Sequence, residues 1–240
     1  MKSNKPNKSI SNNQNYPKAS KVRFYDRKKW LLEIIPLIIL IAMAAIAFYI
    51  YPRLPDNVPI HWNASGNIDN YGSKYIAVFL IPIIYLLFVI FSILLPAMDV
   101  FKENIKSFYK YYYAMKVLFG IFFLVLYIAT LMPNFGYAFN IGYIILLSVI
   151  ILFFALGFIL RHVKRNFFIG IRTPWTLAND KIWEKTHNVG GFMFMALSLI
   201  LLIGILFLDT TVLYIIFVGL IILMVIFLMF YSYYLYKRET

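Results

Sequence analysis

The chain has 240 residues, of which 62% are hydrophobic and only 14% are charged, and its mean hydropathy is +0.77. A soluble globular domain carries a much larger charged fraction, so this composition excludes one. The absence of cysteine excludes disulfide bonds, thiol nucleophiles and cysteine-ligated metals. The formal net charge of +13 raises the question of nucleic acid, but the basic residues form no nucleic-acid-binding motif, so we expect no direct contact with it.

Six apolar runs are long enough to cross a bilayer, because about 20 helical residues at roughly 1.5 Å each match a hydrocarbon core of about 30 Å. None of them alternates as the strands of a membrane barrel do. The runs cover residues 31–51, 75–97, 112–132, 140–160, 189–208 and 212–234. The sequence therefore predicts an all-α polytopic membrane protein, with a six-helix membrane domain over residues 30–240.

Basic residues set the predicted orientation, because cationic loops resist translocation. Of the 23 Lys and Arg residues, all but Arg53 and Lys74 fall on one side of the predicted spans. We therefore expect both termini to be cytoplasmic, with residues 1–29 as a disordered basic tail that anionic lipid headgroups attract. Glu33 and Lys116 lie near the ends of their spans, and we expect both to snorkel to the cytoplasmic interface.

The outer loop, residues 52–74, reads "PRLPDNVPIHWNASGNIDNYGSK". Its prolines and its Ser-Gly and Tyr-Gly turn signals predict an ordered loop and not a flexible linker. Two interpretations stay open. His61, Trp62, Asn63 and Asp69 form a recognition surface for a peptide or a lipid headgroup, or Trp62 only anchors at the interface while His61 only bonds within the loop.

The cytoplasmic loop, residues 161–188, contains "NFFIGIRTPWTLANDKIWEKTH". Gly170 and Pro174 break any helix that runs out of the fourth span, so a turn at the membrane surface is expected there. Asn179 or Asp180 can then cap a short helix, which the Gly190-Gly191 pair separates from the fifth span.

Three interpretations of this short helix compete. Asp180, Glu184 and His187 share one side of it and could hold a divalent metal for hydrolysis, although they match no accepted metal-site spacing. The helix could instead be an interfacial anchor, held by Trp175 and Trp183, with Arg172 paired to a lipid phosphate or to Glu184. The third interpretation is a docking site for a cytoplasmic protein.

The same motif resembles the signature of the SdpI family, bacterial membrane proteins named for immunity to a sporulation-delay peptide toxin. The outer "LPDNVPIHWNASGNIDNYGSK" resembles a module of unknown function that often occurs in the same chains, between their first two helices. The resemblance implies a multi-pass protein of the bacterial cytoplasmic membrane. The motif positions that it carries over, as candidates for toxin or partner binding, are Asn166, Gly170, Arg172, Thr173, Pro174, Trp175, Thr176, Trp183 and His187.

The leading hypothesis is therefore an immunity or resistance protein in the lipid bilayer, whose partner is an extracellular peptide toxin. The resemblance also implies signalling, through a cytoplasmic repressor held at the membrane. We expect no enzymatic activity and no cofactor, because no Walker loop, nucleophile elbow or dinucleotide fingerprint occurs. The alternatives are a small-molecule or peptide exporter and a metal-dependent membrane enzyme.

Overall fold

A computed structural model describes residues 27–137 and 139–239. Within them, six helices are long and apolar enough to cross a membrane, which confirms the predicted all-α polytopic fold. The spans run over Trp30–Arg53, Lys74–Met98, Tyr109–Phe135, Ile141–Leu160, Asp180–Gly204 and Thr210–Glu239. The predicted disordered tail falls almost wholly outside the described residues.

The helices are numbered in chain order. They are α1 (Arg27–Leu32), α2 (Ile34–Ile50), α3 (Lys74–Met98), α4 (Lys102–Ser107), α5 (Tyr109–Leu131), α6 (Ile141–Leu160), α7 (Pro174–Ala178), α8 (Asp180–Gly204) and α9 (Thr210–Glu239). Short 3-10 turns follow α2 and α5. The two described chain termini and the loop before α7 lie together at what we call the motif end, where Lys185 forms an ion pair with Glu239 at 2.6 Å. The side of the membrane that this end faces stays a prediction.

The spans form two groups of three helices. Helices α2, α3 and α5 share a core that includes Met43, Tyr85 and Tyr127, all of them fully buried. Helices α6, α8 and α9 share a second core around Leu201 and Leu213. Helix α5 packs against α6 and so joins the two groups.

Helices α6 and α8 approach each other closely through glycine. A Cβ on Gly157 would lie 2.6 Å from the carbonyl oxygen of Gly191, and a Cβ on Gly191 would lie 2.5 Å from that of Gly157. Small residues permit such backbone contact between membrane helices. The expectation that Gly190-Gly191 separates a short helix from the fifth span is therefore wrong, since α8 continues unbroken from Asp180 to Gly204 and the pair serves packing instead.

The outer loop folds into an antiparallel β-hairpin, which the sequence did not predict. Strand β1 (Asn57–Trp62) pairs with β2 (Ile68–Ser73), and the register is irregular around His61. Val58 is fully buried in the core of the first helix group. At the tip, the Ser65 hydroxyl lies 2.8 Å from that of Thr211, and the Asn140 amide donates to the Ser65 carbonyl at 2.9 Å. The hairpin is thus an ordered cap at the opposite end of the bundle, which we call the hairpin end.

Candidate functional site

Asn166 organises the loop between α6 and α7. The residue is fully buried, and its amide group donates to the carbonyl oxygens of Lys164 at 2.8 Å and Ile169 at 2.9 Å. Its own side-chain oxygen accepts from the N–H groups of Phe168 and Ile169. All four bonds are made within three residues of Asn166, so this side chain fixes the turn in place of regular secondary structure.

Gly170 and His187 meet beneath that turn. The backbone of Gly170 has φ +115°, and a Cβ at this position would lie 2.3 Å from Nε2 of His187, so only glycine fits. The Ile171 N–H donates to Nε2 at 2.9 Å, which leaves Nδ1 to donate to the Trp183 carbonyl at 2.8 Å. Both nitrogens of the imidazole are therefore occupied in one neutral tautomer.

Trp183 completes this buried layer. Its ring stacks on His187 with the centroids 4.0 Å apart, as the spacing of four residues on one helix predicts. Its indole N–H donates to the carbonyl of Val163 at 2.8 Å. Trp183 is 2% exposed and His187 is 1% exposed, so neither side chain is presented at the surface of the loop.

The "TPWT" stretch forms a capped turn of helix. The Thr173 hydroxyl accepts from the Thr176 N–H at 3.1 Å, while the Thr176 hydroxyl accepts from the Thr173 N–H at 2.9 Å. Pro174 occupies the first helical position, where its missing N–H costs nothing. Trp175 packs on Tyr233 of α9, and Thr173 lies 3.0 Å from the Ser232 hydroxyl, so this turn docks onto the last span.

Arg172 is the charged member of the motif, and its side chain is exposed. One guanidinium nitrogen donates to the Phe167 carbonyl at 2.6 Å, and the side chain does not pair with Glu184 as the interfacial interpretation suggested. The other eight motif positions are used largely in building the loop. The sequence pattern therefore marks a structural scaffold that leaves Arg172 at its surface.

The metal interpretation finds no support in the described part of the chain. No cluster of three or more metal-ligating His, Asp or Glu side chains occurs there. Asp180 forms an ion pair with Arg165 at 2.8 Å, and His187 spends both ring nitrogens on backbone groups. Asn179 caps α8, accepting from the Lys181 N–H at 2.8 Å, so Asp180 is not the cap.

Two polar side chains that the sequence did not single out attach the motif to the first helix group. Asp99, which is buried, accepts from the Phe101 N–H at 2.7 Å and from the Phe167 N–H at 2.9 Å. Asn104 of α4 donates to the Arg165 carbonyl at 2.8 Å. The bonds to Phe167 and Arg165 join residues more than sixty positions apart in the chain, so no local pattern could have indicated them.

Glu33 and Lys116 form a buried ion pair between the start of α2 and α5. Oε1 of Glu33 accepts from Nζ of Lys116 and from the Tyr109 hydroxyl at 3.0 Å. Glu33 is 1% exposed and Lys116 is 0% exposed. The expectation that both side chains snorkel to the interface is therefore wrong, because each one reaches the other inside the bundle instead.

At the hairpin end, the four candidate residues of the outer loop have three roles. His61 pairs with Asp69 across the strands, with Nδ1 and Oδ1 2.6 Å apart, and both side chains are exposed. Asn63 turns the hairpin, since its side-chain oxygen accepts from the N–H groups of Ser65 and Asn67. Trp62 lines a cleft of about 330 Å³ between the hairpin, α6 and α9.

Six apolar spans, a hairpin cap and a hydrogen-bonded loop at the opposite end define a multi-pass protein of the cell membrane. Residues 162–232 match the model of the SdpI/YfhL protein family, and residues 38–86 match a domain of unknown function, DUF1648, which contains the hairpin. The chain is 30% identical to the Immunity protein SdpI of Bacillus subtilis (strain 168) over 174 residues, covering 69% of this chain and 81% of that protein. The chain therefore belongs to the SdpI family. No solved structure matches it significantly.

Proposed function

We propose that this protein protects the cell against a membrane-active peptide toxin, which it engages at the hairpin end. The observation that carries the proposal is the similarity to a protein named as an immunity protein, over most of both chains. The sparsely charged interior supports it, because interception of an apolar peptide needs neither catalysis nor coupled ions. The exposed His61–Asp69 pair of the hairpin and the Asp56–Lys74 pair that flanks its strands add polar groups at this end.

The cleft at the hairpin end suits an apolar stretch of such a peptide. Trp62 and Ala64 line it from the hairpin, Ile145 lines it from α6, and Tyr214 and Phe217 line it from α9. A peptide that inserts into the outer half of the bilayer would reach these side chains laterally, while its polar part meets the hairpin. Aromatic and aliphatic walls with a polar rim are typical of binding sites for amphipathic ligands.

Survival of a sensitive bacterium under a sporulation-delay-type peptide tests this proposal. Ile145→Trp fills the cleft, whereas Ile151→Trp adds the same ring to the exposed face of the same helix. At equal membrane levels, we expect wild type and Ile151→Trp to protect and Ile145→Trp to fail. Loss of protection in both variants would indicate a general packing defect.

The outcomes separate the alternatives. Protection by Ile145→Trp as well would retain immunity but remove the cleft from it. No protection by the wild type contradicts the proposal and favours the exporter, whose own requirement is energy-dependent efflux from loaded cells.

A signalling role at the motif end is supported by the exposure of Arg172. Its guanidinium keeps N–H donors beyond the one that Phe167 uses, so an acidic or phosphorylated surface of a soluble regulator could pair with it. Arg172→Gln should leave survival unchanged and abolish a toxin-dependent change in transcription. An unchanged transcriptional response in that variant would remove Arg172 from the role.

A further inference from the structure

A polar cavity at the motif end takes no part in the proposed function. It has a volume of about 230 Å³ and lies between the end of α6, the residues that follow it and the first turns of α8. A water molecule occupies roughly 30 Å³ in the liquid, so the cavity has room for a polar group several times that size. Arg161 and Lys164 line one part of it, Glu184 lines another, and the Trp183–His187 pair contributes its buried wall.

Arg161 carries an unsatisfied donor at this cavity. Its Nε atom is buried, and it has no hydrogen-bond partner within residues 27–137 and 139–239. The guanidinium lies 4.1 Å from the ring centroid of Phe192. The ring attracts the cation, but it is not a conventional hydrogen-bond acceptor. A buried N–H without an acceptor is unfavourable, so this donor indicates an acceptor from outside the described chain.

The position of Arg161 is fixed by the packing of the helices. A Cβ built on Gly191 would lie 2.4 Å from Cγ of Arg161. The lack of a side chain at Gly191 therefore leaves room for the arginine stem between α6 and α8. The stem of Arg161 is therefore held in place beside the cavity that this residue lines, so that binding requires little further ordering of the side chain. Preorganisation of this kind reduces the entropic cost of binding.

The charges around the cavity favour an anion. Arg165 is already paired with Asp180, whereas Arg161 and Lys164 have no ion pair within the described residues. Glu184 also has no described ion pair, so the cavity suits an anionic group whose remainder is neutral or cationic. A phosphate diester has this character, and guanidinium binds phosphate well.

We propose that this cavity is a phosphate-binding site, in which Arg161 and Lys164 donate to the phosphate oxygens. Arg161 directly follows the last residue of α6, where a span leaves the hydrocarbon and headgroup phosphates lie. The phosphate comes either from a phospholipid headgroup or from a soluble phosphate compound. The site is independent of toxin protection. Arg161 and Lys164 were not among the candidates that the sequence indicated, and Glu184 was considered only as a metal ligand or as a partner for Arg172.

Binding measurements on the purified full chain in detergent test the proposal. The protein is titrated with dioctanoyl phosphatidylglycerol, with dioctanoylglycerol, which lacks the phosphate, and with inorganic phosphate, and the rise in Tm reports binding. We expect the phosphatidylglycerol to stabilise the wild type and the dioctanoylglycerol not to. Competition by inorganic phosphate would identify a soluble source, and binding of the lipid without competition would identify the headgroup.

The variants locate the site. Arg161→Gln should weaken binding about tenfold, as expected for the loss of one charge-assisted hydrogen bond. Lys181→Gln removes the same charge from an exposed position on α8 and should bind like the wild type. If Arg161→Gln does not fold, two other single variants test the site. Arg161→Lys keeps the charge but lacks Nε, and Lys164→Gln removes the second proposed donor. Equal affinity in the Arg161 and Lys181 variants, or equal binding of dioctanoylglycerol, would overturn the proposal.

Discussion

The motif end and the hairpin end use polar residues in opposite ways. At the motif end, Glu33, Lys116, Asn166 and His187 are all buried, and each is bonded to a specific partner. At the hairpin end, the His61–Asp69 pair is exposed. A buried polar group that loses its partner lowers the free energy of unfolding, because it is left without a hydrogen bond. An exposed polar group can bond to water instead, so its loss of a partner costs little. The motif end should therefore be intolerant of substitutions at these buried polar residues, whereas substitution within the exposed pair at the hairpin end should cost little.

The largest effect is expected from Lys116→Met, which leaves the Glu33 carboxylate buried without its cation. Removal of one partner of a buried ion pair typically costs about 3–5 kcal/mol in the free energy of unfolding. Chemical denaturation in detergent micelles measures it. The double variant Glu33→Leu/Lys116→Met removes both charges and should recover most of the loss.

Lys110→Met provides the matched control for this experiment. Lys110 lies on the same helix and is exposed, and its Nζ lies 4.7 Å from the centroid of the Tyr111 ring. Its substitution should change stability little. If the single and double variants at the buried pair were equally unstable, the charge imbalance would not be the cause.

A smaller effect is expected from Gly170→Ala. This change strains the backbone at φ +115° and also places a methyl group against the His187 ring, so it should cost more than the roughly 1–3 kcal/mol of backbone strain alone. Gly136→Ala is the control, because Gly136 has φ +80° and open space around its Cβ position. The difference between their unfolding free energies isolates the contact with His187, and equal costs would contradict its importance.

The smallest effect is expected from Asp69→Asn at the hairpin end. His61 is 65% exposed and Asp69 is 39% exposed, so solvent screens their attraction and the loss should be a few tenths of a kcal/mol. Thermal unfolding in micelles would detect a larger loss. A cost comparable to that of Gly170→Ala would contradict the contrast between the two ends.

The six spans could be predicted from the sequence because a hydrophobic length is a local property of the chain. The ends of the helices were predicted less accurately than the spans themselves. Gly190-Gly191 was interpreted as a helix break, although it serves close packing, since glycine favours both helix breaks and close helix contacts. The hairpin was missed because its strands alternate poorly between buried and exposed positions and Pro59 lies within β1.

Within the candidate site, the sequence predicted a turn at Gly170 and Pro174, and the spacing of four residues between Trp183 and His187 is compatible with their stacking, because both features depend on neighbours in the sequence. It could not predict the partners. The Glu33–Lys116 pair joins positions 83 residues apart, and the cavity at Arg161 is formed by segments that only the packing of α6 on α8 brings together. Charged residues next to a span are also common as simple interfacial anchors, so Arg161 gave no distinctive signal.

The uninterrupted length of helix α8 has a mechanical consequence. Its 25 residues, at about 1.5 Å each, make a rod roughly 37 Å long that begins beside the Arg161 cavity and ends just before Thr211, which contacts the hairpin tip. No proline interrupts it. A tilt of about 5° about its first turn would move the far end by about 3 Å, as a lever of that length requires. Such a displacement is comparable to one hydrogen-bond length, so a small rotation at one face of the membrane would be enough to part Ser65 from Thr211 at the other.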